Sequence, residues 1–213
     1  DPDDIKEAAE KIGFILRSVD GIKRGLGTIR QDVNVSIKEG SRVEIKGAQE
    51  LKTLPLWGKN EVLRQFSLLE VRKEMSKRKI TEKSLEECKS KITDLSEVFS
   101  HCESNIIMKV ISSKGVVLGV KLPHLKGLLG KELCPDKRLG SELSDYAKAK
   151  SGIGGLFHCD ELPQYGLTEA EVAAVYSKLG CSGDDGFIII ADSEEKSRLG
   201  LLEAIERAKR TLT

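Results

Sequence analysis

Two short segments with alternating polar and apolar side chains stand out in the first quarter of the chain: residues 29–37 read IRQDVNVSI, and residues 42–46 read RVEIK. Alternation with a period of two is typical of β-strands, whose successive side chains point to opposite faces. The residues between them, 38–41, read KEGS, and a glycine is suited to the positive φ that many hairpin turns require. The pattern therefore predicts a β-hairpin.

The length of the turn determines which residues of this hairpin face each other. A four-residue turn that pairs Ile37 with Arg42 places apolar Val35 opposite charged Glu44 and so mixes the two faces. A three-residue turn at residues 39–41 keeps the polar side chains together on one face. In that register the expected pairs are Lys38 with Arg42, Ser36 with Glu44, and Asn34 with Lys46.

The polar face of the predicted hairpin is the best candidate for chemistry. It collects cations, carboxylates and one amide: Arg30, Arg42, Lys46, Asp32, Glu44 and Asn34. Arginine and lysine suit phosphate oxygens, whereas the carboxylates of Asp32 and Glu44 suit Mg²⁺. The alternative is an ordinary solvated face with cross-strand ion pairs, which is common in antiparallel sheets. The pattern by itself favours this alternative.

Helical periodicity surrounds the hairpin. Residues 4–19 predict a helix that Asp3 or Asp4 caps, with an apolar face formed by Ile5, Ala8, Ala9, Ile12, Leu16 and Val19. Residues 58–79 predict a charged helix, and residues 81–90 a short one that Thr81 caps. Helical periodicity stops near residues 90–105, where we expect a domain boundary.

The second half of the chain predicts a mixture of strands and helices. Residues 106–111 and 116–121 resemble a second hairpin around a Ser-Ser-Lys-Gly turn, and residues 122–140 a loop. A helix at 141–150, strands at 155–158 and 187–191, and a capping box at residues 168–171 follow. The last helix is expected to start at a cap formed by Asp192. The predicted fold class is α+β.

Composition excludes several classes of protein. The chain has 213 residues with 35 Lys+Arg against 34 Asp+Glu, so it is not a wholesale polycation. No apolar run reaches the length of about 18 residues that a membrane span needs, and no secretory signal is evident. The five cysteines form no CxxC pair, which predicts free thiols in a reducing cytoplasm.

Near-neutrality conceals two oppositely charged stretches. Residues 105–150 contain nine Lys/Arg and four Asp/Glu, and residues 151–195 contain one Lys and nine Asp/Glu. The basic stretch is a candidate for contact with structured RNA, through residues such as Lys121, Lys126 and Lys131. Aromatic residues are almost absent there, so base stacking is not expected. Ordinary surface lysines are the alternative.

Three other groups of residues are weaker candidates. The glycines of residues 25–28, and those of 152–155, suit either a phosphate loop or a plain turn, and the plain turn is favoured because no complete nucleotide motif is present. The ligand-type residues at 158–161 have no partner pair elsewhere, so a zinc site is disfavoured and a structural loop is favoured. His101 with Cys102, and the isolated His124, offer no metal-ligand spacing.

The hairpin sequence resembles a known family. Residues 25–36 and 42–47 are similar to the E subunits of archaeal glutamyl-tRNA(Gln) amidotransferases, and the related bacterial B subunits carry a similar Arg-x-Asp-x-Asn-x-Ser strand. The second half resembles the GAD domain, which these subunits share with bacterial-type aspartyl-tRNA synthetase. The similar stretches are residues 121–123, 127–130, 155–158, 160–163, 165–166 and 183–192.

The resemblance implies an enzyme of translation. Such enzymes convert misacylated Glu-tRNA(Gln) to Gln-tRNA(Gln): the glutamyl γ-carboxylate is phosphorylated with ATP and Mg²⁺, and ammonia from glutamine then forms the amide. The implied partners are tRNA(Gln) and an asparaginase-like glutaminase, the D subunit, in a cytoplasmic heterodimer with no membrane. Arg30, Asp32, Asn34, Glu44 and Lys46 then become candidates for binding nucleotide or phosphate, with Mg²⁺ support from Asp32 and Glu44.

The resemblance also implies how the chain is divided. Residues 1–100 correspond to part of the catalytic cradle domain (helix, β-hairpin, helices), and residues 105–213 to an inserted α+β GAD domain. The chain starts with Asp1 instead of Met, and we expect it to be an internal piece of a longer protein, without the family's N-terminal metal-binding His and Glu motifs. The remaining alternatives are a non-catalytic tRNA-binding or scaffolding module and an unrelated cytosolic interaction protein.

A first prediction follows for the isolated chain. Residues 1–213 alone should have no amidotransferase activity, because the implied metal ligands are missing from the sequence. The measurement is ATP- and glutamine-dependent formation of Gln-tRNA from Glu-tRNA. Detectable transamidation by this chain without any other protein would contradict the expectation.

Overall fold

A computed structural model describes residues 1–25, 27–48 and 50–212. The chain forms two compact units, residues 1–69 with 133–135, and residues 70–132 with 136–213. Helix α2 contributes its first part to the first unit and its last part to the second. This division lies earlier in the chain than the boundary that the sequence predicts near residues 90–105. The two units are described separately below.

The first unit begins with α1 (Pro2–Ser18). Asp1 caps it, since its side chain accepts a hydrogen bond of 3.0 Å from the Asp3 backbone N–H, and proline suits the first helical turn. The predicted caps, Asp3 and Asp4, are therefore wrong, and both residues lie inside the helix. There they are acidic residues near the positive end of the helix dipole.

Only part of the predicted apolar face of α1 is buried. Ala9 is buried and joins a small core with Ala48 and Leu54, to which Ile5, Val33, Leu51 and Trp57 add partly buried side chains. In contrast, Ile12 and Val19 are each 54% exposed. The buried part of this apolar face thus lies in the N-terminal half of α1, and its C-terminal half is exposed.

The predicted hairpin consists of β1 (Val33–Val35) and β2 (Val43–Ile45), which pair antiparallel. Its pairs are Val33 with Ile45, Asn34 with Glu44, and Val35 with Val43. The predicted register, with Asn34 opposite Lys46, is therefore wrong by two residues. Its parity is right, because a shift of two keeps every side chain on its face.

The register differs because the first strand ends earlier than its alternation suggests. The Ile37 backbone N–H donates to the Gln65 side chain, and the Gly40 N–H donates to the Ile37 carbonyl in a turn. Gly40 does not have the positive φ that the sequence predicts for it. A Cβ atom at Gly40 would lie 2.4 Å from Gln65 Oε1, so this glycine is needed for close approach.

A 3₁₀ turn (Leu51–Thr53) leads into α2 (Leu54–Lys77), which starts four residues before the predicted helix at 58–79. Next come α3 (Glu82–Glu86) and a second 3₁₀ turn (Glu87–Lys91). Thr81 caps α3 as predicted: its hydroxyl accepts from the Ser84 N–H at 3.1 Å, and the Ser84 hydroxyl accepts from the Thr81 N–H at 3.0 Å.

The second unit is organised around a four-stranded antiparallel sheet in the order β3-β4-β8-β7. These strands are β3 (Thr93–Asp94), β4 (Val116–Leu122), β7 (Phe157–His158) and β8 (Gly186–Asp192). Strands β4 and β8 pair over seven residues, and Phe187 to Ile190 are all fully buried. Helix α7 (Glu194–Lys209) packs on both strands and on α5 (Leu139–Ser151).

The predicted strand at residues 106–111 is wrong, because this segment belongs to α4 (Asn105–Ser112). The physical reason lies in the neighbouring strand. Both edges of β4 are occupied, one by β3 and the other by β8, so no edge is left for a hairpin partner. The segment instead forms a helix that buries Ile107 against β4 and β8, while Ile106 remains 54% exposed.

Three further elements complete the fold. They are β5 (Glu132–Cys134), β6 (Lys137–Arg138) and α6 (Glu169–Lys178). Thr168 and Glu171 form the predicted capping box of α6. Asp192 does not cap the last helix, since it ends β8 and Ser193 takes the cap position of α7. The mixture of helices and largely antiparallel strands confirms the α+β class.

None of the helices in the described part of the chain is both long enough and apolar enough to cross a membrane.

A glycine at the start of α5 yields a stability prediction. A Cβ atom at Gly140 would lie 2.2 Å from His158 Cδ2 of β7, and this imidazole is itself buried. Gly140→Ala should therefore lower the free energy of unfolding by about 1–3 kcal/mol through overpacking. The control is Gly154→Ala, where no atom lies within 4 Å. Urea denaturation of both variants is the measurement, and equal stability of the two would contradict the prediction.

Candidate functional site

The outer face of the hairpin carries the residues that the sequence singles out. Arg30, Asp32, Asn34, Arg42, Glu44 and Lys46 are all exposed. The intervening residues point inward: Val35 is buried, and Val33, Val43 and Ile45 are half-buried. The alternation therefore sorts the side chains onto two faces as predicted. Within the paired strands, Asn34 lies directly opposite Glu44.

Three of these side chains interact at the open end of the hairpin. Lys46 Nζ lies 3.1 Å from Glu44 Oε2. The hydrogen bond and the negative charge of Glu44, followed by the charge of Asp32, raise the pKa of the Lys46 ammonium. Asp32 Oδ1 accepts a hydrogen bond of 3.3 Å from the Gly47 N–H. The face thus brings two carboxylates and one cation together.

The arrangement fits part of a site for a metal–phosphate group. Mg²⁺ prefers six oxygen ligands and usually keeps several waters, so Asp32 and Glu44 would supply at most a minority of its ligands. In residues 1–25, 27–48 and 50–212, neither belongs to a set of three ligand groups close enough to hold an ion. Arg30 and Asn34 make no side-chain hydrogen bond or ion pair within those ranges, which leaves both side chains available to a ligand.

The inner face of the hairpin rests on a buried polar network that the sequence analysis missed. Gln65 of α2 is 5% exposed, and its amide nitrogen donates to the Val35 carbonyl at 3.2 Å and to Glu61 Oε1 at 2.9 Å. Arg64 binds the same Glu61 carboxylate through two hydrogen bonds of 2.8 and 2.9 Å. The only indication in the sequence was that Glu61 and Gln65 are polar and four residues apart, a spacing that is equally typical of a solvated helix face.

The hairpin is also tied to α1. The Gln31 side chain donates to the Ala9 carbonyl at 3.3 Å, and the Gln31 carbonyl accepts from the Ala48 N–H at 3.1 Å. Gln31 therefore belongs to the inner face. The segment of residues 30–37 is consequently held near its start by α1 and at its end by α2.

The candidate glycine loop before the hairpin is a turn in its described part. Thr28 donates to the Gly25 carbonyl through its backbone N–H and its hydroxyl, and Gly25 and Gly27 have positive φ. Leu26 lies outside the described residues. In the second glycine segment, Gly152 ends α5 in a left-handed conformation. Both segments use glycine for chain geometry.

Two family models match this chain. The GatB/GatE catalytic domain matches residues 1–112, which include the hairpin and its supports. The GAD domain matches residues 107–199.

The chain belongs to the GatB/GatE family.

Its curated relatives are named as the E subunit of glutamyl-tRNA(Gln) amidotransferase. The protein of Methanocaldococcus jannaschii is 48% identical over 208 residues, which are 97% of this chain and 32% of that protein. The relatives from Thermococcus gammatolerans and Haloarcula marismortui are 47% and 46% identical over 211 residues, 99% of this chain and 33% of each relative. The chain spans about a third of the length of these relatives.

Two of the three candidate lysines of the GAD domain bind other groups of the chain. Lys121 donates to the Gly180 carbonyl at 3.0 Å and lies 3.4 Å from the Asp185 carboxylate. Lys131 forms an ion pair of 2.9 Å with Glu70. The Lys126 ammonium lies 4.8 Å from the centre of the Tyr176 ring and is exposed. Of the three, Lys126 alone has an ammonium without a hydrogen bond or ion pair in the described chain.

The ligand-type residues at 158–161 of this GatB/GatE chain hold the loop together. The Asp160 carboxylate accepts from the Gly127 and Gly130 N–H groups, each at 2.8 Å. Glu161 accepts from the His158 N–H at 3.1 Å and from the Tyr165 hydroxyl at 3.2 Å. The donors are backbone and phenol groups from the surrounding loops, which supports the structural interpretation of this segment over a zinc site.

One cluster brings together residues that the sequence leaves isolated. His124 Nδ1 lies 2.6 Å from Asp184 Oδ1. The backbone N–H of His124 donates to Asp185 Oδ1 at 3.2 Å. The hydrogen bond with His124 lowers the pKa of the Asp184 carboxyl. Sixty residues separate His124 from Asp184, so spacing carries no signal. Lys121 also approaches Asp185, which gives this carboxylate a cationic partner from the chain itself.

Cys88, Cys102, Cys159 and Cys181 form no disulfide, as the sequence predicts. Burial raises the pKa of Cys159 to about 12 and the pKa values of Cys88 and Cys181 to about 11. These groups are therefore protonated thiols at neutral pH and poor nucleophiles.

Burial of His158 generates a pH prediction. Burial lowers the pKa of this imidazole below its usual 6.5, although the negative charges of Glu161 and Asp160 act to raise it. As the pH falls, the imidazole therefore binds a proton at a higher pH in the unfolded chain than in the folded chain. The stability contribution of neutral His158 is complete above about pH 6.5 and is lost as the pH falls below it. In His158→Gln, the free energy of unfolding should decrease less between about pH 7 and pH 5 than in the unsubstituted chain.

Urea denaturation across this pH range measures the difference. The matched control is His101→Gln, the same change at an exposed position. An identical pH dependence of His158→Gln and the unsubstituted chain would show that burial of this imidazole does not contribute.

Proposed function

We propose that this chain is the part of the E subunit of a glutamyl-tRNA(Gln) amidotransferase that positions phosphoryl-transfer groups through its hairpin. The enzyme would convert Glu-tRNA(Gln) to Gln-tRNA(Gln) in the cytoplasm, with ATP, Mg²⁺ and glutamine. Its partners would be tRNA(Gln) and an asparaginase-like glutaminase, the D subunit. The observation that carries the proposal is the convergence of Asp32, Glu44 and Lys46 on the exposed face of a hairpin whose sequence lies in the matched catalytic domain.

The chemistry of the face suits transfer of a phosphoryl group. ATP would supply that group, and Mg²⁺ would neutralise its charge. Lys46 and Arg30 would bind phosphate oxygens, where negative charge has to be stabilised during transfer. Asp32 and Glu44 would hold the hydrated metal or orient Lys46, and Asn34 would donate a hydrogen bond. Asn34 and Glu44 lie on the paired strands and Asp32 binds the Gly47 N–H, so these groups would need little reorganisation when a ligand binds.

The domain assignment is part of the proposal. Residues 1–100 would form the contribution to the catalytic cradle, and residues 105–213 an inserted GAD domain. The two family models support this division, since one ends and the other begins within residues 107–112.

The decisive variants are Asp32→Asn and Glu44→Gln in the full-length protein assembled with its glutaminase partner. We expect ATP-dependent phosphorylation of the γ-carboxylate to decrease about tenfold or more, because the neutral side chains would no longer hold the hydrated metal or orient Lys46. Binding of tRNA should be unchanged. A matched control is Glu39→Gln in the exposed turn of the same hairpin. Unchanged chemistry with weakened tRNA binding would contradict the proposal and favour a tRNA-binding scaffold.

A separate observation makes Lys126 a candidate for tRNA contact in the GAD domain. Its ammonium is exposed and free of ion pairs in the described chain, whereas Lys121 and Lys131 are bound internally. Lys126→Gln in the full-length protein should reduce the slope of log K against log salt for tRNA binding by about one. Lys131→Gln is the control and should leave the slope unchanged. An unchanged slope for Lys126→Gln would remove this candidate.

A further inference from the structure

We infer that Gln65 is a positioning residue of the hairpin: its buried carboxamide acts as a substitute strand that fixes the end of β1 on α2. The inference rests on the proposed function for its effect on catalysis, but its structural part can be tested independently. It starts from the small size of the hairpin. Strands β1 and β2 have three residues each and form a sheet of only two strands, which is marginal without further support.

The Gln65 amide bonds to β1 as a neighbouring strand would. Its Nε2 donates to the Val35 carbonyl at 3.2 Å, and its Oε1 accepts from the Ile37 N–H at 3.3 Å. A carboxamide has the same donor and acceptor as a peptide group. It therefore satisfies a C=O and an N–H two residues apart, which is the spacing of ladder bonds along one edge of a strand.

Glu61 and Arg64 determine which way round this amide lies. Gln65 Nε2 donates its second hydrogen to Glu61 Oε1 at 2.9 Å, and Arg64 holds the same carboxylate through two hydrogen bonds. With the amide turned over, its oxygen would face the Glu61 carboxylate and the Val35 carbonyl, which are both acceptors. The network thus permits a single orientation of Gln65, and this orientation pairs with both groups of β1.

Gly40 is the second observation that points to the same role. A Cβ atom at this position would lie 2.4 Å from Gln65 Oε1 and 2.8 Å from Ile37 Cγ1. The turn of the hairpin therefore closes over the carboxamide, and only glycine leaves the necessary space. Gly40 in the turn and Gln65 on α2 thus act together to hold β1 on α2, although twenty-five residues separate them in the sequence.

The contact between Gln65 and β1 affects the candidate site through the backbone of β1. Asn34 precedes Val35 and faces Glu44 on the outer side, and the contact between Glu44 and Lys46 lies further along the partner strand. A displacement of β1 relative to α2 would therefore move the outer face as a unit. Small displacements of catalytic groups reduce rates strongly, so the position of β1 is functionally important if this face handles phosphate.

The test uses Gln65→Met in the full-length protein assembled with its glutaminase partner. Methionine keeps the volume but removes all three hydrogen bonds of the amide. We expect the Ile37 amide to exchange with deuterium at least about tenfold faster, and γ-carboxylate phosphorylation to decrease about tenfold with a raised KM for ATP. Glutaminase activity should be unchanged. Gln164→Met, the same change at an exposed position, is the control.

Two further variants distinguish loss of positioning from simple misfolding. Gly40→Ala leaves the polar network chemically intact but intrudes on the carboxamide, and it should reproduce both effects. Glu61→Gln combined with Gln65→Glu should recover part of the activity that Gln65→Glu loses, because the pair again contains one donor and one acceptor. A purely structural role would lower the folded fraction without changing the KM for ATP.

The outcomes separate the two proposals. Gln65→Met with unchanged exchange at Ile37 and unchanged kinetics would overturn the positioning role. Faster exchange at Ile37 without any effect of Asp32→Asn on phosphorylation would support the substitute strand and overturn the proposed function. Faster exchange together with raised KM, and with loss of phosphorylation in Asp32→Asn, would support both.

Discussion

Buried strand edges have to find hydrogen-bond partners, and this requirement organises each of the two compact units. In the second unit, β3 and β8 occupy both edges of β4, and the buried core forms around the seven-residue pairing of β4 with β8. In the first unit, β2 pairs with only three residues of β1, and Gln65 binds the Val35 carbonyl and the Ile37 N–H. An unpaired buried N–H or C=O would cost free energy comparable to a lost hydrogen bond.

The same requirement explains how a highly polar face can be held in place. The outer side of the hairpin is exposed, so Arg30, Asp32 and Lys46 keep their hydration and need no partner for stability. The contacts that anchor the hairpin to α1 and α2 are on the inner side, through Gln31 and Gln65. Anchoring and chemistry are thereby separated, and the outer residues remain available to a ligand. The matched catalytic domain includes both sides of this arrangement.

The sequence patterns correctly predicted those features that depend only on neighbouring residues. The alternation at residues 29–37 correctly sorted inner and outer side chains, and the capping signals at Thr81 and Thr168 were correct. The register was wrong because the pairing with β2 ends at Val35, and the next residues turn and contact α2. Residues 106–111 were predicted as a strand because a short apolar run suits either structure, and only the occupied edges of β4 exclude it.

By itself, the sequence determined the α+β class, the two faces of the hairpin, the candidate residues on its polar face and the family to which the chain belongs. These depend on residue type and spacing within a few positions. The tertiary structure alone decided that Gln65 binds β1, that Gly40 is needed for this approach, and that His124 meets Asp184. Such contacts join distant parts of the chain, so packing and hydrogen-bond satisfaction decide them, and neither is visible in a local pattern.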